Sequence, residues 1–460
     1  MCESKDRRNQ RGAIRKLAAI LFLTIPVAAS AQISLSTAVD LAEKSSPAVR
    51  SAQANVRKAI GSLSESEDAY VPNVVLGANP GYVYGYPLGY PSLFEANSQS
   101  LILSFSQRDY IRAARQGVNS AKLSLRNTQQ EVALDVALAY VQLDHDLREM
   151  AALDEEKAYA ENLVNMEQER VNAGVDASVA TLRAQLTAAQ VDEKHIQLEN
   201  DANDMRLKIS HLTGLPAVGF TTISGSIPPQ PAVSASSGID EQPPDNNPGV
   251  AAAYAKAKSR QYQAFGDQRQ NYRPLITFGA QYSLFEKFAN YTQYFPNGLQ
   301  YNNAAIGVVV TFPIFDASRR ARARESAADA DYAWADADAA RNTLSEQEQT
   351  LRGSVRQLAA QQRVAQLESD LAQAQLKTVE TQLANGTGNA GAQPISPIEA
   401  QNAHIEERQR FEDMLDANFS LIRVELNFLR TTGGLDAWLQ SALASPSPPA
   451  PMVGAAPQPH

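Results

Sequence analysis

The sequences YVPNVVLGA at residues 70–78 and YRPLITFGA at residues 272–280 share one pattern. Each has a tyrosine, a proline two positions later, alternating apolar residues and a final Gly-Ala. Other landmarks recur in the same order, such as PAV at 47–49 before the first copy and PGV at 248–250 before the second. The chain therefore contains a duplicated unit, which indicates two equivalent elements within one assembly.

Each copy predicts a β-hairpin, at about residues 74–106 and about 275–312. In the second hairpin, apolar residues alternate with polar or small ones; the apolar set is Ile276, Phe278, Ala280, Tyr282 and Leu284. Strands of ~9–11 residues with this polarity and with aromatic ends are typical of an outer-membrane β-barrel. An ordinary soluble hairpin with one buried face would show the same alternation, so periodicity leaves both interpretations open.

A long helical pair follows each hairpin, at about residues 110–214 and about 317–432. Both segments lack proline over most of their length, and their apolar residues recur at spacings of three and four. This spacing is typical of coiled coils. The first helix of the first pair runs to Gly174 and would be ~95 Å long at 1.5 Å per residue.

The N-terminus carries the features of a secretory signal peptide, predicted to cover residues 1–31. Six basic residues precede an apolar run, which ends in the small residues Ala29, Ser30 and Ala31. Without this segment, 35 basic and 48 acidic residues remain. A net charge of about −13 makes nucleic acid an unsuitable partner, because phosphate binding needs basic residues. The only cysteine, Cys2, lies within the predicted signal segment.

The organisation predicted for the rest of the chain follows from the duplication. The first repeat covers residues 32–222 and the second covers residues 248–435. A linker rich in Pro, Ser and Gly joins them at residues 223–247, and a Pro/Ala-rich tail at residues 436–460 is expected to be disordered.

Four strands cannot close a barrel, and an open sheet edge in lipid leaves backbone groups without hydrogen bonds. If the hairpins span a membrane, several copies of the chain must share one barrel. The helical pairs would then extend that barrel as a tube, which suggests a conduit.

The order of these features resembles the TolC-type outer membrane efflux proteins, also called outer membrane factors. The segments that carry the resemblance are residues 33–59, YVPNV at 70–74, RVNAGVDAS at 170–178, LTGLP at 212–216 and TFPIFD at 311–316. The resemblance implies a mainly α fold with a small β part. In such a homotrimer, long antiparallel coiled-coil helices form an α-helical barrel. This barrel continues into a shared 12-stranded transmembrane β-barrel with four strands from each protomer.

The resemblance also implies a function. The protein would be the outer membrane channel of a tripartite efflux or type I secretion system, located in the bacterial outer membrane and extending into the periplasm. Its partners would be a periplasmic adaptor protein, an inner-membrane transporter and outer membrane lipid. The alternative is an exported structural coiled-coil protein whose hairpins are soluble.

Candidate site residues follow from the same resemblance. Family members dock onto the adaptor through their helix tips, and the matching tip residues here are Ala173, Gly174, Val175, Asn385, Gly386 and Thr387. Glu399 matches an acidic position of the family's periplasmic gate, whereas Ser396 stands where a second acid is common. A solvated glutamate at the favourable end of a helix dipole is the alternative reading of Glu399.

Other signals do not predict catalysis or a cofactor. Residues 386–391 fit GxGxxG, but a dinucleotide site needs a preceding strand, and a long helix precedes this one. The histidines show no metal-ligand spacing. Asp144, His145 and Asp146 are predicted to lie on a solvated helix face, since adjacent helical residues point apart. We therefore expect no enzyme activity, no cofactor and no metal.

Overall fold

The computed structural model describes residues 31–81, 92–217, 220–229, 247–286, 291–298, 300–385 and 396–444. Six strands are present there: β1 (Ala31–Ile33), β2 (Asn73–Asn79), β3 (Ser92–Ser104), β4 (Phe220–Thr222), β5 (Leu275–Phe285) and β6 (Asn302–Thr311). Residues 1–30 of the predicted signal peptide, most of the predicted linker and residues 445–460 of the tail lie outside these ranges.

Helices dominate the described part of the chain, and nine α-helices are present there. They are α1 (Leu35–Ser45), α2 (Pro47–Asp68), α3 (Phe105–Asn172), α4 (Ser178–Thr213), α5 (Pro248–Gln270), α6 (Tyr291–Tyr294), α7 (Ala317–Asn385), α8 (Pro397–Thr432) and α9 (Leu435–Ala444). Among these described helices, none is both long enough and apolar enough to cross a membrane.

The two longest helices are α3 and α7, with 68 and 69 residues. α3 begins at Phe105, inside the range predicted for the first hairpin, because Ser104 caps it by accepting a hydrogen bond from the Gln107 N–H at 3.1 Å. α3 packs against α4, and α7 packs against α8, so each repeat contains an antiparallel helix pair. The two pairs meet where α3 packs against α8.

Four strands form one antiparallel sheet in the order β2-β3-β5-β6. The hairpins of the two repeats are thus joined through β3 and β5, which pair from Ser92–Phe285 to Ser104–Leu275. β2 and β6 are the two edges of this sheet.

The largest core lies midway along the helices, where α1, α3, α4, α8, α9 and β4 meet. Tyr140 of α3 is fully buried at its centre. Its hydroxyl donates to the Ile33 carbonyl at 2.6 Å and accepts from the Ile223 N–H at 2.7 Å. These bonds hold the small parallel sheet of β1 and β4 against the long helices.

The expectation of a disordered tail is wrong for residues 436–444, which form most of α9. Leu435, Trp438 and Leu439 are buried in the large core. The Trp438 indole N–H also donates to the Pro229 carbonyl at 3.3 Å. Burial of these three apolar side chains orders a segment whose overall composition indicated disorder.

Replacing Tyr140 by Phe tests the importance of this core. The change leaves the Ile33 carbonyl and the Ile223 N–H without their buried partner, so we expect the folded state to lose about 1–3 kcal/mol. The thermal midpoint measured by circular dichroism should fall by several degrees. Tyr332→Phe is the matched control, because Tyr332 is 73% exposed. Equal midpoints for the two variants would contradict the role given to Tyr140.

Candidate functional site

The two faces of the four-stranded sheet differ in polarity. Directly paired residues share one face, and the pairs Val74–Ser98, Ser98–Ala280 and Ala280–Ile306 connect all four strands. The face that contains them also carries Leu76, Ala96, Phe278, Tyr282, Val308 and Val310. Ile306 is 78% exposed, and Val74, Leu76 and Val308 are exposed as well. One protomer therefore presents a broad apolar surface to its surroundings.

The opposite face is mainly polar, although the exposed residues Val75 and Val309 also lie on it. It carries Asn73, Glu95, Asn97, Gln99, Gln281, Ser283 and Asn303. The Glu95 carboxylate accepts hydrogen bonds from the Asn97 amide at 2.8 Å and from the Gln281 amide at 3.2 Å. A sheet with one apolar and one polar face fits a barrel wall between lipid and water.

The first predicted tip is a tight turn between α3 and α4. Gly174 has φ +72°, a left-handed conformation that favours glycine. The Gly174 N–H donates to the Val171 carbonyl and the Val175 N–H donates to the Arg170 carbonyl, which is a Schellman cap. Arg170 also forms an ion pair with Asp176 across the turn. Val175 is 61% exposed at the end of the helix pair.

The second predicted tip is described only in part. α7 ends at Asn385, whose backbone is helical, and α8 begins at Pro397. The side chain of Asn385, together with Gly386 and Thr387, lies outside the described residues.

Glu399 occupies the first turn of α8, near this second tip. Its carboxylate accepts from the Ser396 N–H at 2.9 Å, while the Ser396 hydroxyl accepts from the Glu399 N–H at 3.2 Å. This reciprocal pair is a capping box. Ser396, which departs from the acidic position expected of the family, thus holds Glu399 in place. Within one protomer Glu399 is an exposed helix-capping residue, and its role at a gate stays a prediction.

Between the large core and the tips, four helices lie side by side in the order α4, α3, α8, α7, with α4 and α7 at the two edges. Toward the sheet, α2 and α5 pack against α3 instead, and α5 also packs against α7. α4 buries one seam against its neighbours through Thr181, Ala184, Val191 and Leu198. It also has exposed apolar residues at coiled-coil spacing on another face: Val179, Leu182, Leu186 and Ile196. α7 exposes a similar series at Val364, Leu367 and Leu371. Each edge helix therefore has a second seam that no described part of the same chain covers.

A network of charged side chains connects α3, α4 and α8. The Lys194 ammonium lies 2.7 Å from Glu149 and 2.8 Å from Glu412. Burial raises the pKa of Glu412, although Lys194 opposes that shift. Burial acts to lower the pKa of His145, but its contacts with Asp146, Asp416 and Glu149 outweigh burial and raise it to about 9.

The solvated face predicted for Asp144, His145 and Asp146 is wrong. Asp144 and Asp146 are buried, and the His145 side chain is only 10% exposed. Asp144 points toward the small sheet, where it accepts hydrogen bonds from Thr222 and Ser224. His145 points toward α8, where its ring lies 4.8 Å from that of Phe419. The neighbouring helices cover both sides of α3 at this level, which the sequence of α3 alone does not reveal.

Sequence reasoning did not predict the burial of several other acidic residues, of which Asp109 and Glu425 are examples. Asp109, in the first turns of α3, is fully buried and forms ion pairs with Arg269 of α5 at 2.7 Å and with Arg112 at 3.3 Å. Glu425 of α8 is 6% exposed, and one of its carboxylate oxygens has no hydrogen-bond partner. Burial raises the pKa of Glu425 to about 7. An acidic residue at a buried heptad position was the available signal for Glu425.

Comparisons with known proteins agree with this architecture. Residues 38–215 match the profile of the outer membrane efflux protein family. No curated protein gives a significant match to the sequence.

Among solved structures, the chain is similar to the outer-membrane channel OprN, with 18% identity, a TM-score of 0.69 and coverage of 88% of this chain and 90% of that one. It is also similar to the outer membrane protein VceC from Vibrio cholerae (14% identity, TM-score 0.67, coverage 87% and 96%). A third similar structure is the CmeC outer membrane channel from Campylobacter jejuni, with 14% identity, a TM-score of 0.70 and coverage of 87% of this chain and 86% of that one. The structural likenesses establish the fold, and the family match confirms the resemblance found in the sequence.

Glu425→Gln should change how stability depends on pH. Burial raises the pKa of Glu425 from its unfolded value of 4.5 to about 7. The protonated carboxyl therefore contributes its full share of wild-type stability below about pH 4.5, and this contribution is lost as the pH rises through about 7. The glutamine variant cannot ionise. We expect it to be more stable than the wild type by about 1–3 kcal/mol near pH 8, with the difference vanishing near pH 4.

Thermal midpoints measured across this pH range test the prediction. Glu406→Gln is the matched control, because Glu406 is exposed on the same helix and should follow the wild type. A Glu425→Gln curve parallel to that of the wild type would contradict the assignment.

Proposed function

We propose that this chain, a relative of the outer membrane efflux proteins, forms an outer membrane channel that continues as a conduit through the periplasm. It would act in a tripartite efflux or type I secretion system, as a homotrimer with a 12-stranded barrel. The observation that carries the proposal is the four-stranded sheet, which has one apolar face, one mainly polar face and two edges that are unpaired in the protomer.

The sheet supports membrane insertion as a shared barrel. Ile306, Val308 and Val310 face outward on β6, and such a surface is stable in lipid rather than in water. In lipid, however, the edge strands β2 and β6 would leave backbone groups unpaired at several kcal/mol each. Pairing β2 of one protomer with β6 of the next satisfies these groups, and three protomers then give twelve strands.

The helices support the same closure below the sheet. α4 and α7 lie at opposite edges of the protomer, and each has an exposed apolar seam. Packing α4 of one protomer against α7 of the next buries both seams, and repetition around a threefold axis closes a tube. A helix with two seams at an angle to each other suits a helical barrel, whereas a helix with one seam suits a simple bundle.

The tips would contact the periplasmic adaptor protein. At the first tip, the cap at Gly174 fixes the turn and leaves Ala173 and Val175 at its end for apolar contact. At the second tip, Asn385, Gly386 and Thr387 are proposed to serve in the same way. The adaptor would in turn connect the channel to an inner-membrane transporter that supplies the energy.

The structural coiled-coil alternative requires a soluble sheet. A soluble protein would cover the apolar face that contains Ile306 and Val308, yet no described segment of the chain packs on it. No observation favours this alternative.

Cysteine cross-linking tests the closure of the helices. Contacts of Lys194 with Glu412 and of Arg410 with Glu368 place residues near 194 on α4 and near 368 on α7 at one height. We therefore expect Ile196→Cys combined with Leu367→Cys to form disulfides between protomers, giving covalent dimers and trimers on non-reducing gels. The predicted mature chain has no other cysteine to interfere.

A control pair keeps Ile196→Cys and moves the second cysteine to Ile306→Cys on the sheet, far from that height. It should give no covalent oligomers. Equal cross-linking by both pairs, or none by the first, would contradict the proposed contact between α4 and α7.

Planar-bilayer recording tests the channel directly. We expect the detergent-purified protein to give discrete cation-selective conductance steps. Glu399→Gln removes a ring of three carboxylates near the second tip and should lower cation selectivity several-fold. Glu406→Gln, on the same helix, should leave selectivity unchanged.

The outcomes separate two claims. Steps that are identical in wild type and Glu399→Gln would remove Glu399 from the gate and keep the channel. Absence of any insertion, from a protein that stays soluble without detergent, would contradict the channel itself.

A further inference from the structure

Three side chains from two helices converge on one point between α3 and α8. His145 and Glu149 lie one turn apart on α3, and Asp416 faces them from α8. His145 Nε2 lies 3.0 Å from Asp416 Oδ1 and 3.8 Å from Glu149 Oε2. One nitrogen and two oxygens, each from a different residue, are all within 4.8 Å of one another.

Three buried polar atoms in and beside this cluster lack hydrogen-bond partners. His145 Nε2 is buried against the carboxylates of Asp416 and Glu149, but neither contact has hydrogen-bond geometry. Asp146 Oδ2 and Glu412 Oε1 are also buried without partners. Unpaired buried polar atoms are rare in folded proteins and indicate a missing ligand, ion or water.

Neighbouring residues orient the imidazole of His145 so that Nδ1 faces a carboxylate and Nε2 faces the other two side chains of the cluster. Asp146 Oδ1 lies 3.3 Å from His145 Nδ1, and the Gln142 amide donates to the same oxygen at 3.1 Å. A carboxylate on one imidazole nitrogen directs the other nitrogen toward a metal and increases its basicity. Of the two Glu149 carboxylate oxygens, Lys194 contacts Oε1 at 2.7 Å, whereas Oε2 is the oxygen nearest to His145.

The charges in the cluster favour a cation. With a neutral imidazole, the carboxylates of Asp146, Glu149, Glu412 and Asp416 outnumber the single ammonium of Lys194. A divalent ion reduces this excess where burial makes it costly. Binding requires that the ion displace the proton that the same carboxylates hold on His145.

We propose that His145, Glu149 and Asp416 form a binding site for a divalent first-row transition-metal ion, with Zn²⁺ as the best fit. Zinc–ligand bonds of about 2.0–2.2 Å place neighbouring ligand atoms roughly 3.3 Å apart. The 3.0 Å separation of His145 and Asp416 is close to this value, and the Glu149 carboxylate would move inward from 3.8 Å when the ion binds. The imidazole favours such ions over Mg²⁺ and Ca²⁺, which prefer oxygen ligands alone. Water completes the coordination, because the Asp416 side chain is 54% exposed.

The bound ion would join the two helix pairs of the protomer. His145 and Glu149 belong to the pair of the first repeat, and Asp416 belongs to the pair of the second. All three ligands come from one chain, so the site requires neither the trimer nor the channel function.

Metal titration of the full chain in detergent, after removal of metal with a chelator, tests the proposal. Zn²⁺ binding measured by calorimetry at neutral pH should give one ion per chain. Co²⁺, used as a spectroscopic probe, should give visible absorption bands from a site that includes one nitrogen ligand. No Co²⁺ bands at millimolar Co²⁺, together with no heat from Zn²⁺, would overturn the proposal.

Variants distinguish this site from adventitious binding. His145→Gln and Asp416→Asn should each lower the Zn²⁺ affinity at least tenfold, and Asp146→Asn should lower it about 10–100-fold through the orientation of His145. The matched control is His404→Gln, because His404 lies between the same two helices. It stacks on Tyr159 at 4.4 Å and contacts Glu380 at 3.5 Å, outside the cluster.

The control should bind Zn²⁺ like the wild type. Affinities that are unchanged in both His145→Gln and Asp416→Asn would overturn the proposal. Circular dichroism confirms that each variant is folded, and the Co²⁺ spectrum of the wild type remains decisive if a variant is not.

Discussion

The unpaired edges of the four-stranded sheet are the constraint on which the rest of this structure depends. A sheet whose outward face carries Ile306 and Val308 is suited to lipid, but β2 and β6 each leave a row of backbone groups without partners there. Hydrocarbon offers no water to satisfy these groups, so the sheet is stable in a membrane only when further copies close it. Assembly is thus a requirement of the strand count rather than an added property.

The helices transmit that closure over a long distance. α3 continues directly from β3, and α7 follows β6 after a short segment. The positions of these strands around the barrel axis therefore set the positions of the two helices. Between them, the core around Tyr140 holds α1, α9 and the β1–β4 sheet against the helices. The exposed apolar seams of α4 and α7 need a neighbouring protomer for side-chain packing, just as the sheet edges need one for backbone hydrogen bonds.

Much of this architecture could be predicted from the sequence, because its signals are local. Two-residue and 3–4-residue periodicities, the proline-free segments and the duplication around residues 70–78 and 272–280 predict hairpins followed by long helix pairs.

Residues 436–444 were mispredicted, since their composition is that of a flexible tail while Trp438 is ordered by a core contributed by distant segments. The burial of His145 and Asp146 was missed for the same reason, because α8 covers them from far along the chain. Glu399 was identified only because it matches an acidic position of the family. That match does not predict the capping box with Ser396, which depends on the local geometry of the first turn of α8.

Electron cryomicroscopy of the protein in lipid nanodiscs would test the central claim most directly. The account predicts three copies around one axis and a closed barrel of twelve strands, with β2 of each protomer paired to β6 of the next and Val308 facing lipid. It also predicts contact between α4 and α7 of adjacent protomers along the tube. A single copy with both sheet edges unpaired, or a rod that lies outside the lipid, would contradict it.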